Sequence, residues 1–405
     1  MTWRPAQDPG AGGAAGPRLL RWLVTPHAMI VATLGLSALG WLLFDPSLPG
    51  GYRLPQPVTV QAALILSAWY LMIIELAYFG FAAGRLLRLP PLLEADIAFA
   101  ARLDGKSLYY VYSVIGTIGL AATLYRIIGI LGTDGVIASV LDSSANRLTA
   151  VLYEDYHIGI LSLRYVCALS GGIALWRLFL LREWRLLHVV NILALLVAVA
   201  TAGRLFLLTA LFIALCLGLS SGRLKRVSPV AAAAVLIAVT SMLGVYSYVR
   251  TLGTYDQAGY GGFWQVALLQ MGSYLSTPFQ VSLGVANHIG ELSSIAQERD
   301  FFDRSNAYTT NSVFDYFIVY RGGWAWLEII PATAGLATLM GFCRRFPGSY
   351  LACGYGVLLY AFAEIWRTPY FLAGSFKTEL IFGLFLPLAL GIGISLMRRA
   401  TVPLS

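Results

Sequence analysis

The feature of this sequence that most constrains its fold is a series of unbroken apolar runs, separated by short segments that contain arginine. A hydrocarbon core needs about 20 consecutive apolar residues in a helix, and these runs are of that length. A bilayer accepts only helices or closed barrels, and a barrel would show alternating segments of about ten residues instead. The sequence therefore predicts an all-α, polytopic membrane protein.

The composition agrees with this fold class. The 405 residues are 58% hydrophobic and only 12% charged, whereas soluble proteins have about 25% charged residues. These values exclude a soluble enzyme, a disordered chain and a nucleic-acid-binding domain. We attribute the net charge of +8 to loop arginines that fix the orientation in the membrane, so nucleic acid is not an expected partner and the lipid bilayer is.

The apolar runs predict about ten transmembrane helices. Residues 187–219 form one apolar stretch that Thr201-Ala202-Gly203-Arg204 interrupts. As a single helix this stretch would measure about 50 Å, too long for one crossing, so we expect two short helices that turn at Gly203-Arg204. The predicted spans are 28–44, 60–83, 107–131, 158–180, 187–201, 204–219, 229–247, 323–342, 349–366 and 377–397.

The basic residues test this number of spans. With ten spans and both termini in the cytoplasm, every basic cluster falls on the cytoplasmic side, whereas nine spans would turn three clusters outward. The predicted organisation is a cytoplasmic tail at 1–27, seven spans within 28–247, a large outer segment at 248–322, three spans within 323–397 and a cytoplasmic tail at 398–405.

The outer segment at 248–322 is too long for a simple connection. Within it, residues 262–288 carry an apolar stripe at helical spacing, composed of Trp264, Leu268, Met271 and Leu275. This pattern predicts a helix in or near the outer interface. A second pair of short spans is the alternative, and it would preserve the orientation of the rest. The outer loop at 132–157 is acidic.

A further group of charged residues departs from the cytoplasmic bias and lies at one depth near the outer surface. Its basic members are Arg126, Arg164, Arg204, Arg250, Arg321, Arg367 and Lys377, and its acidic members in the helices are Glu328, Glu364 and Glu379. Such side chains are costly in lipid and face a polar interior by default. One interpretation is snorkelling or helix-locking ion pairs. The other is a cationic cavity, and its excess of arginine suits phosphate oxygens.

Neither a metal site nor a disulfide framework is expected. The four cysteines lack paired or zinc-ligand spacing, and the four histidines are scattered. The sequence therefore predicts no cofactor.

Five motifs follow one another in an order that resembles a known family. They are Thr201-Ala202-Gly203-Arg204 opening a span, Tyr274-Leu275-Ser276-Thr277-Pro278-Phe279 in the outer segment, Asn306-Ala307-Tyr308-Thr309, Asp315-Tyr316-Phe317, and Gly322-Gly323 before a glycine-containing helix. Together they resemble the Wzy-type O-antigen polymerases, also called oligosaccharide repeat-unit polymerases. The resemblance covers roughly residues 100–345.

The resemblance implies a GT-C-like glycosyltransferase of the bacterial inner membrane with a periplasmic active site and no metal. Its substrates would be undecaprenyl-pyrophosphate-linked oligosaccharides, one as donor and one as acceptor. The growing glycan would pass to the non-reducing end of the incoming repeat unit. A chain-length regulator remains open as a further partner.

Transfer from a pyrophosphate requires stabilisation of the leaving group and deprotonation of the acceptor hydroxyl. For the first role we expect Arg204, supported by Arg164 and Arg250, with Arg321 and Arg367 at the rim. Asp315, Glu291 and His288 are candidate bases, and a solvated loop face is the alternative for the last two. Further candidate substrate-binding residues are Arg126, Lys377, Tyr274 and Tyr308.

Other functions remain open at this point. An O-antigen ligase uses the same donor and transfers the glycan to lipid A-core. A flippase for the lipid-linked unit would place ionisable groups near the midplane and within repeats, and no repeat is visible here. A membrane peptidase is a further alternative, but the sequence has no His-Glu-x-x-His motif and no Cys beside a His at the predicted outer rim. A structural subunit would not need an arginine-rich outer cavity.

Overall fold

The computed structural model describes residues 20–44, 56–141, 159–203, 205–226, 241, 244–245, 262–291 and 312–401. These residues are helical and contain no strand, apart from an isolated bridge between Arg102 and Ser349. The principal helices are α1 Pro26–Leu43, α2 Val60–Leu86, α3 Pro91–Ala100, α4 Ser107–Leu141, α5 Ile160–Leu180, α6 Leu186–Ala202, α7 Leu205–Ser220, α8 Phe263–Asn287, α9 Ala325–Cys343, α10 Leu351–Ala363 and α11 Gly374–Arg398.

Six of these helices (α1, α2, α4, α5, α9 and α11) are long and apolar enough to cross a membrane. Three shorter apolar helices, α6, α7 and α10, pack among them. The chain is therefore a polytopic helical protein by the length and composition of its helices, as the sequence predicts. The full number of ten spans stays a prediction, because the predicted span 229–247 lies almost wholly outside the described residues.

Local sequence signals explain several helix ends. Thr59 caps α2 by accepting a hydrogen bond from the backbone N–H of Ala62 at 3.1 Å. Pro26 occupies the first turn of α1, where its missing N–H costs nothing. Gly203 ends α6 with a φ of 119°, a conformation that favours glycine. The structure thus places a break at Gly203, where the sequence predicts the turn between two short helices.

The loops that carry the predicted cytoplasmic arginines meet at one end of the bundle. We call this the basic end, and it comprises residues 88–106, 181–185, 221–226 and 344–350. The Leu103 N–H donates to the Gly348 carbonyl at 3.1 Å, and the Tyr350 N–H donates to the Ala101 carbonyl at 2.6 Å. The N–H of Gly348 also donates to Ser220 Oγ at 2.8 Å. Segments far apart in the sequence therefore join at this end.

The buried Arg177 strengthens the basic end. Its guanidinium pairs with Glu183 at 3.0 Å and donates to the Leu103 carbonyl and the Tyr350 hydroxyl, both at 3.2 Å. Burial is the largest influence that raises the pKa of Tyr350. Its hydroxyl therefore remains protonated at neutral pH and donates to the Gly105 carbonyl at 2.9 Å.

The helix directions follow from these contacts. Ser220, at the end of α7, and Gly348, just after α9, lie at the basic end. Helices α7 and α9 therefore both run toward the basic end. We call the other end of the bundle the opposite end. The opposite end comprises the ends of α1, α4, α6 and α10 and the starts of α2, α5, α7, α9 and α11.

Glycine allows the closest helix pair to form. Helices α2 and α9 pack along their lengths. A Cβ on Gly84 of α2 would overlap the carbonyl of Thr338, and a Cβ on Gly341 of α9 would overlap the carbonyl of Phe81. Small residues that let backbones approach are typical of helix interfaces in membranes.

Several helices extend beyond the predicted spans, whereas the predicted division into tails and outer loops stays a prediction. The outer loop predicted at 132–157 is helical up to Leu141, after a kink at Gly132 with a φ of 70°. Helix α3 lies in a segment predicted only as a cytoplasmic connection. The tail predicted at 398–405 begins inside a helix that continues to Thr401, and α1 begins within the tail predicted at 1–27.

Candidate functional site

Arg367, at the opposite end, connects α10 to α8. It follows the turn after α10, and its Nε and Nη2 donate to the same Glu364 carboxylate oxygen at 2.8 and 2.5 Å. Its Nη1 donates to the Tyr274 hydroxyl at 3.2 Å, and the guanidinium carbon lies 4.8 Å from the centroid of the Tyr274 ring. The structure therefore brings together two predicted site residues, Arg367 and Tyr274, with the charge of Arg367 matched by Glu364.

The Glu364 carboxylate belongs to a larger buried group of polar and aromatic side chains. Its other oxygen accepts from the Tyr360 hydroxyl at 2.8 Å, and the Tyr360 ring packs edge-on against Tyr370 with centroids 4.9 Å apart. The Tyr370 hydroxyl donates to Glu379 at 2.8 Å and lies 3.4 Å from the Thr209 hydroxyl. Burial and the Glu379 carboxylate raise the pKa of Tyr370 well above its usual value, so this hydroxyl remains a donor.

Arg164 is fully buried, with 0% of its surface exposed, in the first turns of α5. Its Nη2 donates to the Tyr165 hydroxyl at 3.0 Å, and its guanidinium carbon lies 4.8 Å from the centroid of that ring. Tyr165 stacks on Phe206 near the start of α7, with centroids 5.2 Å apart. The structure thus holds Arg164 beside the start of α7; Arg204 itself lies outside the described residues.

Asp315 is fully buried near α8. Its N–H donates to the Ser312 hydroxyl at 2.9 Å, which begins a short helical turn. A π-helical turn follows at Tyr316–Arg321, a distortion that is frequent at functional sites. The neighbouring Phe314 packs edge-on against Trp69 of α2. Asp315 is therefore a carboxyl group inside the protein, as its apolar and aromatic sequence neighbours predict.

Other predicted site residues form exposed pairs away from these groups. Arg321 pairs with Glu328 at 3.2 Å, and both side chains are more than 40% exposed. His288 pairs with Glu291 at 3.0 Å just beyond the end of α8, where Glu291 is exposed. For His288 and Glu291 this exposed pair is the arrangement expected of the alternative, a solvated loop face, and Arg321 with Glu328 is an Arg–Glu pair of the kind the first interpretation describes.

The remaining predicted site residues are more scattered. Lys377 is exposed in α11, and Arg126 is half-buried in α4. Arg250 and Tyr308 lie outside the described residues. Within the described residues, no group of three or more His, Cys, Asp or Glu side chains is placed to hold a metal ion.

Sequence reasoning missed the pairing of Tyr370 with Glu379 and the buried polar side of α8. The second was visible as a spacing of three and four residues between Gln270, Ser273, Thr277 and Gln280. The first joins residues nine positions apart across the bend before α11, which no helical period reveals.

No protein-family model matches the sequence, and neither a curated protein nor a solved structure shows significant similarity to it. Its function is therefore inferred from the residues and their geometry.

Proposed function

We propose that this chain polymerises lipid-linked oligosaccharide repeat units. It would transfer the growing glycan from undecaprenyl-pyrophosphate to the non-reducing end of an incoming undecaprenyl-pyrophosphate-linked unit. The observation that carries the proposal is the complete burial of Arg164 at the opposite end of the bundle. Arginine at membrane depth is costly and marks functional sites by default, and its planar guanidinium suits phosphate oxygens.

The reaction breaks the bond between the anomeric carbon and the pyrophosphate oxygen, and it forms a bond from that carbon to the acceptor hydroxyl oxygen. Undecaprenyl-pyrophosphate leaves with the electron pair, and positive groups fixed in advance stabilise the developing charge. We assign this role to Arg164 together with Arg204 and Arg250. The proton of the acceptor hydroxyl passes to a base, for which buried Asp315 is the strongest of the three candidates.

Arg367 receives a different role in this proposal. Glu364 matches its charge, and its remaining contact is with the Tyr274 hydroxyl. Arg367 therefore acts as a positioning residue that holds Tyr274 and α8 against the bundle. Arg321, in its exposed pair with Glu328, remains at the rim.

The proposed setting is the bacterial inner membrane, with a GT-C-like bundle of ten spans and the opposite end facing the periplasm. Two features support it. The basic residues gather at one end, as expected for a cytoplasmic face. In addition, α7 and α9 run in the same direction, so the chain between them must return across the bundle an odd number of times. One further span in 229–247 meets this requirement.

The test is the length distribution of the surface glycan, read as a gel ladder, in a strain that lacks this protein. Complementation with wild type should restore long chains, whereas Arg164→Lys, which keeps the charge but loses the planar guanidinium, should leave single repeat units at normal expression. Arg182→Ala is the matched control, because Arg182 is exposed at the basic end, and it should restore the ladder.

Two other outcomes would overturn the proposal. Long polymer that accumulates on undecaprenyl-pyrophosphate in the null strain, with none on the lipid A-core, would identify a ligase. An unchanged ladder in the null strain would exclude both functions.

A further inference from the structure

Helix α8 presents its apolar side outward and its polar side to the protein. Trp264, Leu268 and Met271, which share one face, are 69%, 55% and 39% exposed. The opposite face carries Gln270 and Gln280, which are 6% and 0% exposed. A helix on the surface of a soluble protein has the reverse arrangement, so α8 turns its apolar stripe outward and buries polar side chains next to apolar ones such as Val281 and Leu283.

Three polar atoms on the inner face of α8 have no hydrogen-bond partner among the described residues. They are Gln270 Oε1, Ser276 Oγ and Gln280 Nε2. We call Gln270, Ser276 and Gln280 the polar row. A buried polar atom without a partner is costly and rare in native proteins. The row therefore calls for a ligand or another specific reason.

Neighbouring polar residues of the same helix do not share this property. The Ser282 hydroxyl donates to the Pro278 carbonyl at 2.9 Å, and Ser273 and Thr277 lie 3.3 Å apart, oxygen to oxygen. The missing partners are thus confined to the polar row, and they are not a general feature of α8.

The chemistry of the row limits what it can bind. Amides and hydroxyls both donate and accept hydrogen bonds and carry no charge, which matches sugar hydroxyls better than phosphate or carboxylate groups. From Gln270 to Gln280 the helix rises about 15 Å, which is long enough to meet more than one sugar ring.

The row also lies next to the groups of the proposed site. Tyr274, between Gln270 and Gln280, contacts Arg367, and α8 packs against the turn that contains Asp315. A ligand along the row would therefore lie beside the proposed base, Asp315, and beside the positioning residue Arg367.

We propose that Gln270, Ser276 and Gln280 bind hydroxyl groups of the glycan that the lipid pyrophosphate carries. This inference rests on the proposed function. It assigns the row to the sugar part of the substrate and leaves the pyrophosphate to the arginines.

The test compares Gln270→Leu and Ser276→Ala with Ser282→Ala in the purified full-length protein. Ser282→Ala is the matched control, because it removes an equally buried hydroxyl that already donates to the Pro278 carbonyl. Met271→Leu controls for changes on the outward face. The probes are undecaprenyl-pyrophosphate-linked oligosaccharide extracted from the null strain and undecaprenyl-pyrophosphate without a glycan. Binding and melting temperature are measured for each variant.

The two row variants should bind the glycan-bearing lipid about three- to tenfold more weakly, the factor that one neutral hydrogen bond typically carries. They should bind the lipid without a glycan as wild type does. Their melting temperatures should equal or exceed that of wild type, because the changes remove unpaired buried polar atoms. Both control variants should bind the two probes as wild type does.

Unchanged binding of the glycan-bearing lipid by the row variants would overturn the inference. So would a lower melting temperature together with equal loss of both probes, because the row would then be structural. Wild-type protein that binds both probes equally would also refute the row while leaving the proposed function intact. If wild type binds neither probe and the null strain keeps its ladder, the proposed function itself is wrong.

Discussion

The ion pair between Glu364 and Arg367 offers a direct test of how strongly the opposite end is held together. In Glu364→Gln the side chain keeps its shape but loses its charge, so the two hydrogen bonds from Arg367 weaken and the arginine loses its counter-charge. Both side chains are only 10% exposed. Breaking a buried ion pair from one side typically costs about 3–5 kcal/mol, and we expect a loss of about 3 kcal/mol here because the amide retains part of the hydrogen bonding.

The chain provides a matched pair for comparison. Glu328 and Arg321 lie at the same end of the bundle with an N–O distance of 3.2 Å, but their side chains are 41% and 45% exposed. Exposed pairs contribute about 0–1 kcal/mol. Glu328→Gln should therefore lower the free energy of unfolding by less than about 1 kcal/mol. The unfolding equilibrium constants of the two variants should then differ by at least about tenfold.

The measurement is unfolding of the purified protein in a fixed detergent micelle, followed by circular dichroism and by intrinsic tryptophan fluorescence. Equal losses in the two variants would refute the reasoning, because burial would then not distinguish the pairs. A double variant, Glu364→Leu with Arg367→Met, should recover most of the lost stability, since a buried pair can often be replaced by apolar side chains. It should still lose the contact with Tyr274 and the acceptor of the buried Tyr360 hydroxyl.

Three further predictions concern packing, the buried tyrosine and orientation. In the same detergent unfolding assay, Gly84→Ala should lower the free energy of unfolding by about 1–3 kcal/mol because its Cβ would overlap α9. Gly335→Ala is the control: a Cβ there has no neighbouring atom within 4 Å, so the free energy of unfolding should be unchanged or slightly higher. Tyr370→Phe should cost about 1–3 kcal/mol in the same assay by leaving Glu379 without its donor. Glu291→Cys should react with a membrane-impermeant maleimide in spheroplasts, whereas Arg182→Cys should not. The background labelling should be low because the four native cysteines are buried. The reverse pattern would contradict the proposed orientation.

The apolar runs and the breaks at glycine predict much of the bundle, because helices in a membrane must form their backbone hydrogen bonds within themselves. The turn at Gly203 is an example, since its positive φ and the excess length of 187–219 lead to the same boundary. Helix α3 was not predicted because its ten residues are too few for a helical spacing of apolar residues to be recognised.

The candidate site was less predictable than the bundle. The depth of Arg164 and the apolar neighbours of Asp315 indicated burial, and the structure has both residues at 0% exposure. The hydrogen-bond partners of the site residues could not be predicted from the sequence, because they depend on which helices become neighbours. The contact between Tyr274 and Arg367 joins residues 93 positions apart. In α8 the apolar spacing predicted a helix, but the polar spacing on its other face was the more informative pattern.

The close packing of α2 against α9 has a consequence for how the protein is made. The glycine face of α2 receives the backbone of α9, yet more than 200 residues separate the two helices in the sequence. At a synthesis rate of about 5–20 residues per second, α2 waits roughly 12–50 s for its partner. During that time the glycine face of α2 must be covered by lipid, by another helix or by an insertion factor. The final bundle therefore forms only after the carboxyl-terminal helices have entered the membrane.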